Sequence, residues 1–306
     1  MNAEICIVGG GAIGSTIAYY IYRSGVSLIP IYYGSVESVD KIHEQGGVII
    51  LDKVKKEEFL VPVIPRLYNT PIDQCEYVFN TVKAYQVPST LSLMKKITSP
   101  SGLIIMLQNG FGSLELVESE IPNSKIGCGV VYIGAERVGK GRVIYYGGNT
   151  VIASCRKQPC IELMLLSSKL RIGGLDFRLT DDIDYYRWLK LALNAVVNPI
   201  TAILRTRNKI LLEREGLDLA RLILKEVKKA AEKFGYVFDE DRLLAYVKRN
   251  IELVLDNISS MAQDIIRGEK TEIDYINGYI ARILGEEAIV NKALTILVKL
   301  AEKTYA

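Results

Sequence analysis

The chain has 306 residues, 49% of them hydrophobic and 24% charged, with a net charge of +3. That composition excludes a disordered, collagen-like or disulfide-scaffold chain, and the length accommodates about two domains of ~150 residues. So small a charge argues against nucleic acid as a partner, and no run of about 18 uncharged apolar residues is present to span a membrane. Five cysteines (Cys6, Cys75, Cys128, Cys155 and Cys160) contain no Cys-x-x-Cys pair. Neither a zinc site nor a redox dithiol is expected from them, and scattered thiols point to a reducing cytosol. A single histidine, His43, removes imidazole-based metal sites and disfavours histidine acid–base chemistry, so no metal is expected.

The chain opens Met1-Asn2-Ala3-Glu4 straight into an apolar run, without the basic stretch of a signal peptide, and a cytoplasmic protein is expected. Strands are predicted at Glu4–Val8, Leu28–Tyr33, Val78–Thr81, Leu103–Leu107 and Ile126–Tyr132, with helices at Ala12–Arg23, Pro88–Ile97 and Ser113–Glu120. Strands spaced by helices imply βαβ units and a parallel sheet. From Gly141 to Ala153 the pattern becomes Gly-punctuated strands, Arg142–Tyr146 and Thr150–Ala153, read as a hairpin closing the first domain. Beyond residue 180 helical periodicity takes over at Asp184–Leu204, Leu212–Phe234, Glu240–Ile258, Thr271–Leu284 and Glu286–Lys303. The expected fold is an α/β Rossmann-type dinucleotide-binding domain over 1–180, followed by an all-α substrate and catalytic domain over 181–306.

Ile5-Cys6-Ile7-Val8 runs into Gly9-Gly10-Gly11-Ala12-Ile13-Gly14 and then a helix. Gly9 suits the tight turn, Gly11 lets a pyrophosphate approach the backbone, and Gly14 lets the helix pack closely on the strand. The helix N-terminus offers N–H groups and partial positive charge to phosphates. A tight βα turn without a ligand is the plainer alternative. About twenty residues on, where an acid or an arginine commonly reports the dinucleotide, stands Tyr32-Tyr33-Gly34-Ser35. With no acid there, NADPH is the first expectation, NADH or dual use remains open, and Ser35 or Lys41 would meet a 2′-phosphate.

Lys190, Asn194 and Asn198 recur every four residues in Trp188-Leu189-Lys190-Leu191-Ala192-Leu193-Asn194-Ala195-Val196-Val197-Asn198-Pro199 and form one polar stripe on an apolar helix. Unpaired polar groups in a core cost about 1–3 kcal/mol each, so something polar should satisfy the stripe. That is a substrate in a cleft or, alternatively, an interdomain or dimer contact made by amide hydrogen bonds. A lysine beside a carbonyl can protonate the alkoxide that hydride addition creates and stabilise its charge, while flanking amides orient the substrate. Pro199 should bend the helix or start a new turn.

With these motifs in place the chain resembles the ketopantoate reductase (2-dehydropantoate 2-reductase) family over essentially its whole length. The resemblance rests on the glycine turn; on Thr81-Val82-Lys83-Ala84-Tyr85-Gln86 and Leu107-Gln108-Asn109-Gly110-Phe111-Gly112; on Lys190 through Ala202; on Ser259-Ser260-Met261-Ala262-Gln263-Asp264; and on Thr271-Glu272-Ile273-Asp274-Tyr275-Ile276-Asn277-Gly278. It implies NAD(P)H-dependent reduction of 2-dehydropantoate to (R)-pantoate, on the route to pantothenate and coenzyme A. Lys190 would be the general acid, and Glu272 would sit beside the reacting centre and touch the cofactor. Asn109, Asn194, Asn198, Asn208, Asn257 and Ser260 would contact substrate. Gly9 to Gly14, Lys83, Asn109 and, through its backbone, Ile133 would contact the dinucleotide.

Read from the residues alone, Asn109-Gly110 ends a buried strand at the carboxyl edge of the sheet and is a plain turn otherwise. Lys83 suits a solvated loop, and Ser259-Ser260 a helix N-cap. Glu272 and Asp274 suit a first-turn dipole role, Tyr275 and Tyr279 core packing one turn apart, and Cys75 and Cys128 inert burial. The apolar stretch Ile289–Leu300 suits a homodimer contact. Reduction of another small 2-oxo acid is the rival enzymatic reading, and a dinucleotide-sensing module without catalysis the rival from another class.

Overall fold

The computed structural model describes residues 2–70, 74–122, 124–156 and 160–304; Met1, where the sequence begins its apolar opening, lies outside them. The chain divides into two compact units, Met1–Gln108 with Ser113–Ile183, and Asn109–Gly112 with Asp184–Ala306. Residues 109–112, assigned by sequence to the first domain, therefore pack with the second.

In chain order the first unit contains β1 (Asn2–Val8), α1 (Ala12–Arg23), β2 (Pro30–Tyr33), α2 (Val36–Gln45), β3 (Val48–Asp52), β4 (Glu57–Val61) and β5 (Ile64–Leu67). It continues with β6 (Gln74–Asn80), α3 (Val87–Ile97), β7 (Thr98–Met106), α4 (Ser113–Glu120), β8 (Lys125–Gly139), β9 (Arg142–Cys155), α5 (Ile161–Ile172) and β10 (Asp176–Leu179). Its sheet runs β4-β3-β9-β8-β7-β6-β1-β2-β5, with β10 beside β9. The β1, β2, β5, β6, β7 and β8 pairings are parallel, as βαβ connection requires. Ile5, Ile7, Ile31, Phe79 and Ile105 are fully buried on the strands, and Ile17 and Ile21 of α1 cover that face.

The predicted hairpin within 141–153 is corrected: both halves belong to the single strand β9, which pairs antiparallel with β8. Gly147 and Gly148 mark a register shift in that ladder, not a chain reversal. The sequence missed α2, β3 to β5, α5 and β10. Of these, the strands Glu57–Val61 and Ile64–Leu67 are short and only partly buried, so their hydrophobic alternation is faint.

Four of the five cysteines are paired, which overturns the reading of scattered thiols. Cys6 on β1 and Cys75 on β6 form a disulfide with Cα atoms 5.9 Å apart, and Cys155 pairs with Cys160. The two cysteines come from neighbouring strands 69 residues apart in the chain, a relation invisible in sequence. Cys75 is thus a bridging residue, while Cys128 is a buried thiol outside both bridges.

The second unit is helical: α6 (Ile183–Leu204), α7 (Arg214–Glu232), α8 (Glu240–Glu252), α9 (Ser260–Ile266), α10 (Asn277–Leu284) and α11 (Ile289–Thr304). Caps define two of the starts: Asp239 accepts from the Arg242 N–H at 2.9 Å, and Ser259 from the Ala262 N–H at 3.1 Å. Against expectation, α6 runs without a break through Pro199, a residue that in a helix interior costs about 3 kcal/mol. The helix predicted over 271–284 is instead a 3-10 turn at Ile273–Tyr275, then an interruption at Ile276 (φ −111°, ψ −97°), then α10. No helix among the described residues is long and apolar enough to cross a membrane.

Candidate functional site

In the sheet unit, β1 delivers Gly9 to Gly14 to the start of α1. Gly9 has φ +97°, which favours glycine. A Cβ at Gly14 would lie 2.0 Å from the Gly9 carbonyl oxygen, and at Gly11 a Cβ would meet nothing within 4 Å. One glycine shapes the turn, one seats the helix and one leaves the backbone open, as the spacing predicts. Ala12 and Ile13 form the first turn of α1, and the Thr81 hydroxyl donates to the Gly9 carbonyl at 2.5 Å.

Gly10 has a role that the sequence did not reveal. A Cβ there would fall 2.3 Å from the Tyr33 hydroxyl, so the phenol ring of the last β2 residue lies against the turn. The Tyr33 Oη is buried with no hydrogen-bond partner among the described residues, and desolvation raises its pKa above the usual phenol value. Nearby, Ser35 is used locally: its Oγ caps α2 by accepting from the Ser38 N–H at 3.3 Å. Lys41 is exposed and pairs with Glu44 at 3.3 Å. At the ends of β6 and β7, buried Asn80 accepts from the Gln108 amide at 2.9 Å, and Gln108 also donates to the Val82 carbonyl, beside half-buried Lys83. Ile133 packs on the sheet's core at the register shift in β8.

In the helical unit, Asn109 bridges two of the predicted residues. Its Nδ2 donates to Glu272 Oε2 at 3.1 Å, and its Oδ1 accepts from Asn194 Nδ2 at 3.2 Å. Glu272 is 5% exposed. It does not cap the 3-10 turn that follows it; Thr271 Oγ1 accepts from the Ile273 N–H instead. The loop carrying Asn109 is held by the Phe111 N–H, which donates to the Tyr275 carbonyl at 3.0 Å, and by the Phe111 ring, stacked on Tyr279 and tilted against Trp188. Tyr279 is thus packed as expected, although the break at Ile276 separates it from Tyr275.

Lys190 stands one helical turn before Asn194, on the same side of α6. Desolvation lowers its ammonium pKa from 10.5 to about 8. Asn198, one turn further on, is 4% exposed. Thr201, a residue not singled out by sequence, places its hydroxyl 2.7 Å from Ser259 Oγ and so ties the start of α9 to α6 beside Asn198. Ser259 is the N-cap, and Ser260 is the exposed first residue of α9. Asn208 donates its backbone N–H to the Asn257 carbonyl and its Nδ2 to the Val254 carbonyl, both at 3.0 Å, while its buried Oδ1 has no hydrogen-bond partner among the described residues. The structure therefore gathers Asn109, Asn194 and Glu272 in one hydrogen-bonded relay, and Asn208 with Asn257 in another.

The model of the ketopantoate reductase PanE/ApbA family matches residues 5–157, and that of its C-terminal part matches residues 182–302. This chain belongs to the ketopantoate reductase family. A 2-dehydropantoate 2-reductase of Archaeoglobus fulgidus is 30% identical over 302 residues, 97% of either chain. Among solved structures, D-mandelate dehydrogenase in ternary complex with NADH and anilino(oxo)acetate superposes with a TM-score of 0.91 at 24% identity. A PanE/ApbA family ketopantoate reductase from Ralstonia eutropha gives 0.86 at 24%; both alignments cover 99% of both chains. These two likenesses establish that the ketopantoate reductase fold extends over the whole molecule.

Proposed function

We propose that the protein reduces 2-dehydropantoate to (R)-pantoate with a nicotinamide dinucleotide, NADPH in the first place. We assign dinucleotide binding to residues 1–180 and substrate chemistry to 181–306. The observation that carries this reading is the relay of Asn194, Asn109 and buried Glu272 on the side of α6 that also bears Lys190. It combines a cation, neutral amides and a carboxylate, the groups that carbonyl reduction of a hydroxylated 2-oxo acid uses.

The sheet unit fits a dinucleotide. Gly11 is open, α1 starts at the turn, and the buried Tyr33 hydroxyl lacks, among the described residues, a partner that a ribose or phosphate oxygen would supply. Gly9, Gly10, Gly11, Ala12, Ile13 and Gly14 would hold the pyrophosphate, with Lys83, Asn109, Glu272 and the Ile133 backbone toward the nicotinamide half. The end of β2 carries no carboxylate to repel a 2′-phosphate, which favours NADPH. When bound, the reduced dinucleotide supplies the hydride for the C2 carbonyl.

Lys190 then donates a proton to the C2 oxygen and stabilises the negative charge that develops there. With its pKa near 8 the ammonium is mostly protonated at neutral pH yet gives up its proton more readily than an exposed lysine. Asn194 and Asn198 orient the substrate's oxygens, Ser260 binds its carboxylate, and Glu272, held by Asn109, keeps the reacting end in place. Asn208 and Asn257 shape the turn leading to Ser260. The enzyme would work in the cytoplasm as a homodimer, using the exposed Ile289, Ile296 and Leu300 of α11.

The test is a spectrophotometric assay of 2-dehydropantoate with NADPH and separately with NADH, beside a panel of other 2-oxo acids. Turnover of 2-dehydropantoate at the highest kcat/KM supports the reading, and the ratio of the two rates gives the cofactor. Preference for another 2-oxo acid would replace the substrate. Dinucleotide binding without any turnover would make the protein a sensor.

A further inference from the structure

In an α-helix the carbonyl of residue i accepts from the N–H of residue i+4. Pro199 has no N–H, and its ring pushes the carbonyl four residues earlier out of the ladder. That carbonyl belongs to Ala195, which lies between Asn194 and Asn198. It is not orphaned: Asn277 Nδ2 donates to it at 3.0 Å. Asn277 is fully buried, and the same amide nitrogen donates to Asn291 Oδ1 at 2.9 Å. Asn291 Nδ2 donates in turn to Glu226 Oε2 at 2.7 Å, while the two Glu226 oxygens accept the Val290 and Asn291 N–H groups at the start of α11.

This chain of donors fixes the direction of each amide. Both Glu226 oxygens accept N–H groups at the start of α11, so toward Asn291 its carboxylate is the acceptor. Asn291 must therefore present nitrogen to Glu226 and oxygen to Asn277, and Asn277 must present nitrogen to both Asn291 and Ala195. We propose that Asn277 is a positioning residue, replacing the hydrogen bond that Pro199 withholds and thereby setting the orientation of the α6 stripe. Asn277 is also five residues after Glu272 on one segment. Its grip on Ala195 and the Asn109–Asn194–Glu272 relay clamp that segment to α6 at two points, so loss of one loosens the other.

The proposal rests on the reading of the α6 stripe as the reducing site, and its test separates the two. Asn277→Ala should lower kcat for 2-dehydropantoate about tenfold, the scale of one well-made buried hydrogen bond, with the dinucleotide Kd unchanged by fluorescence titration. Adding Pro199→Ala restores an N–H to the ladder, so the double variant should recover most of that loss. Hydrogen exchange of the α6 amides at 200–204 should be faster in Asn277→Ala and return toward the wild-type rate in the double variant. Should Asn277→Ala not fold, Asn291→Ala, which frees the amide to rotate, should show a smaller loss with the same rescue. A kcat within twofold of wild type, or a loss not relieved by Pro199→Ala, overturns the proposal, as does unchanged exchange in α6. If wild-type protein does not turn over 2-dehydropantoate, the functional reading fails, while the exchange experiment still decides the role of Asn277.

Discussion

In the sheet unit the glycine turn occupies six consecutive residues, and its shape comes from backbone geometry: a positive φ at Gly9, an open face at Gly11 and a close contact at Gly14. In the helical unit Asn109, Asn194 and the segment carrying Glu272 and Asn277 are distant in sequence, with 163 residues between Asn109 and Glu272, and are aligned by side-chain amides. A turn built from backbone tolerates changes in side chains that do not collide with it. A relay of amides fails when any member loses its donor or acceptor, because buried partners are left unsatisfied.

Lys190→Ala is the sharpest test of that contrast. It should reduce kcat by roughly 10²–10⁴-fold, the range of a general acid, yet leave dinucleotide affinity unchanged; measured turnover near wild type would remove Lys190 from the chemistry. In the other unit, Cys6→Ser with Cys75→Ser opens a cross-link spanning 69 residues. By loop-closure entropy the unfolding free energy should fall by about 4 kcal/mol in denaturant titration, and an unchanged midpoint would count against the bridge.

A pH series addresses the relay without mutation. Since burial lowers the Lys190 pKa to about 8 and the acid must be protonated, kcat/KM for reduction should be level below that pH. Above it the rate should fall about tenfold per unit, as for any single required acid. Oxidation of the product, which needs the neutral amine, should show the opposite limb. The smallest effect is expected from Tyr33→Phe. Removing a buried hydroxyl that has no partner among the described residues should raise the melting temperature of the dinucleotide-free protein by a few degrees, on the scale of about 1 kcal/mol. The same change should weaken dinucleotide binding, and a lower melting temperature would show that the hydroxyl is already satisfied.

What could be read from sequence follows the same division. The glycine turn was legible because its geometry lies within six adjacent residues. The Lys190–Asn194–Asn198 stripe was legible because helical periodicity places the three together. The Gly10–Tyr33 contact, the Cys6–Cys75 bridge and the Asn277–Ala195 hydrogen bond each depend on pairing between distant segments, for which one sequence carries no signal. The resemblance supplied Glu272 and Asn109 as site residues, but not the hydrogen bond between them. Pro199 was misjudged for the same reason: its cost was visible, and the amide that offsets it lay 78 positions downstream.

Residues Asn109–Gly112 leave the sheet unit after β7, join the helical unit and return to begin α4. The Phe111 ring, stacked on Tyr279 at 5.0 Å and lying 4.8 Å from Trp188, is part of the helical core. The two units are accordingly not separable modules. A gene fragment starting at residue 184 would encode every helix of the second unit and still lack one of its core side chains, a deletion comparable to a Phe→Ala change of about 3–5 kcal/mol. Any recombination that exchanges the helical half between relatives must carry this four-residue loop with it, or leave a hole where Phe111 belongs.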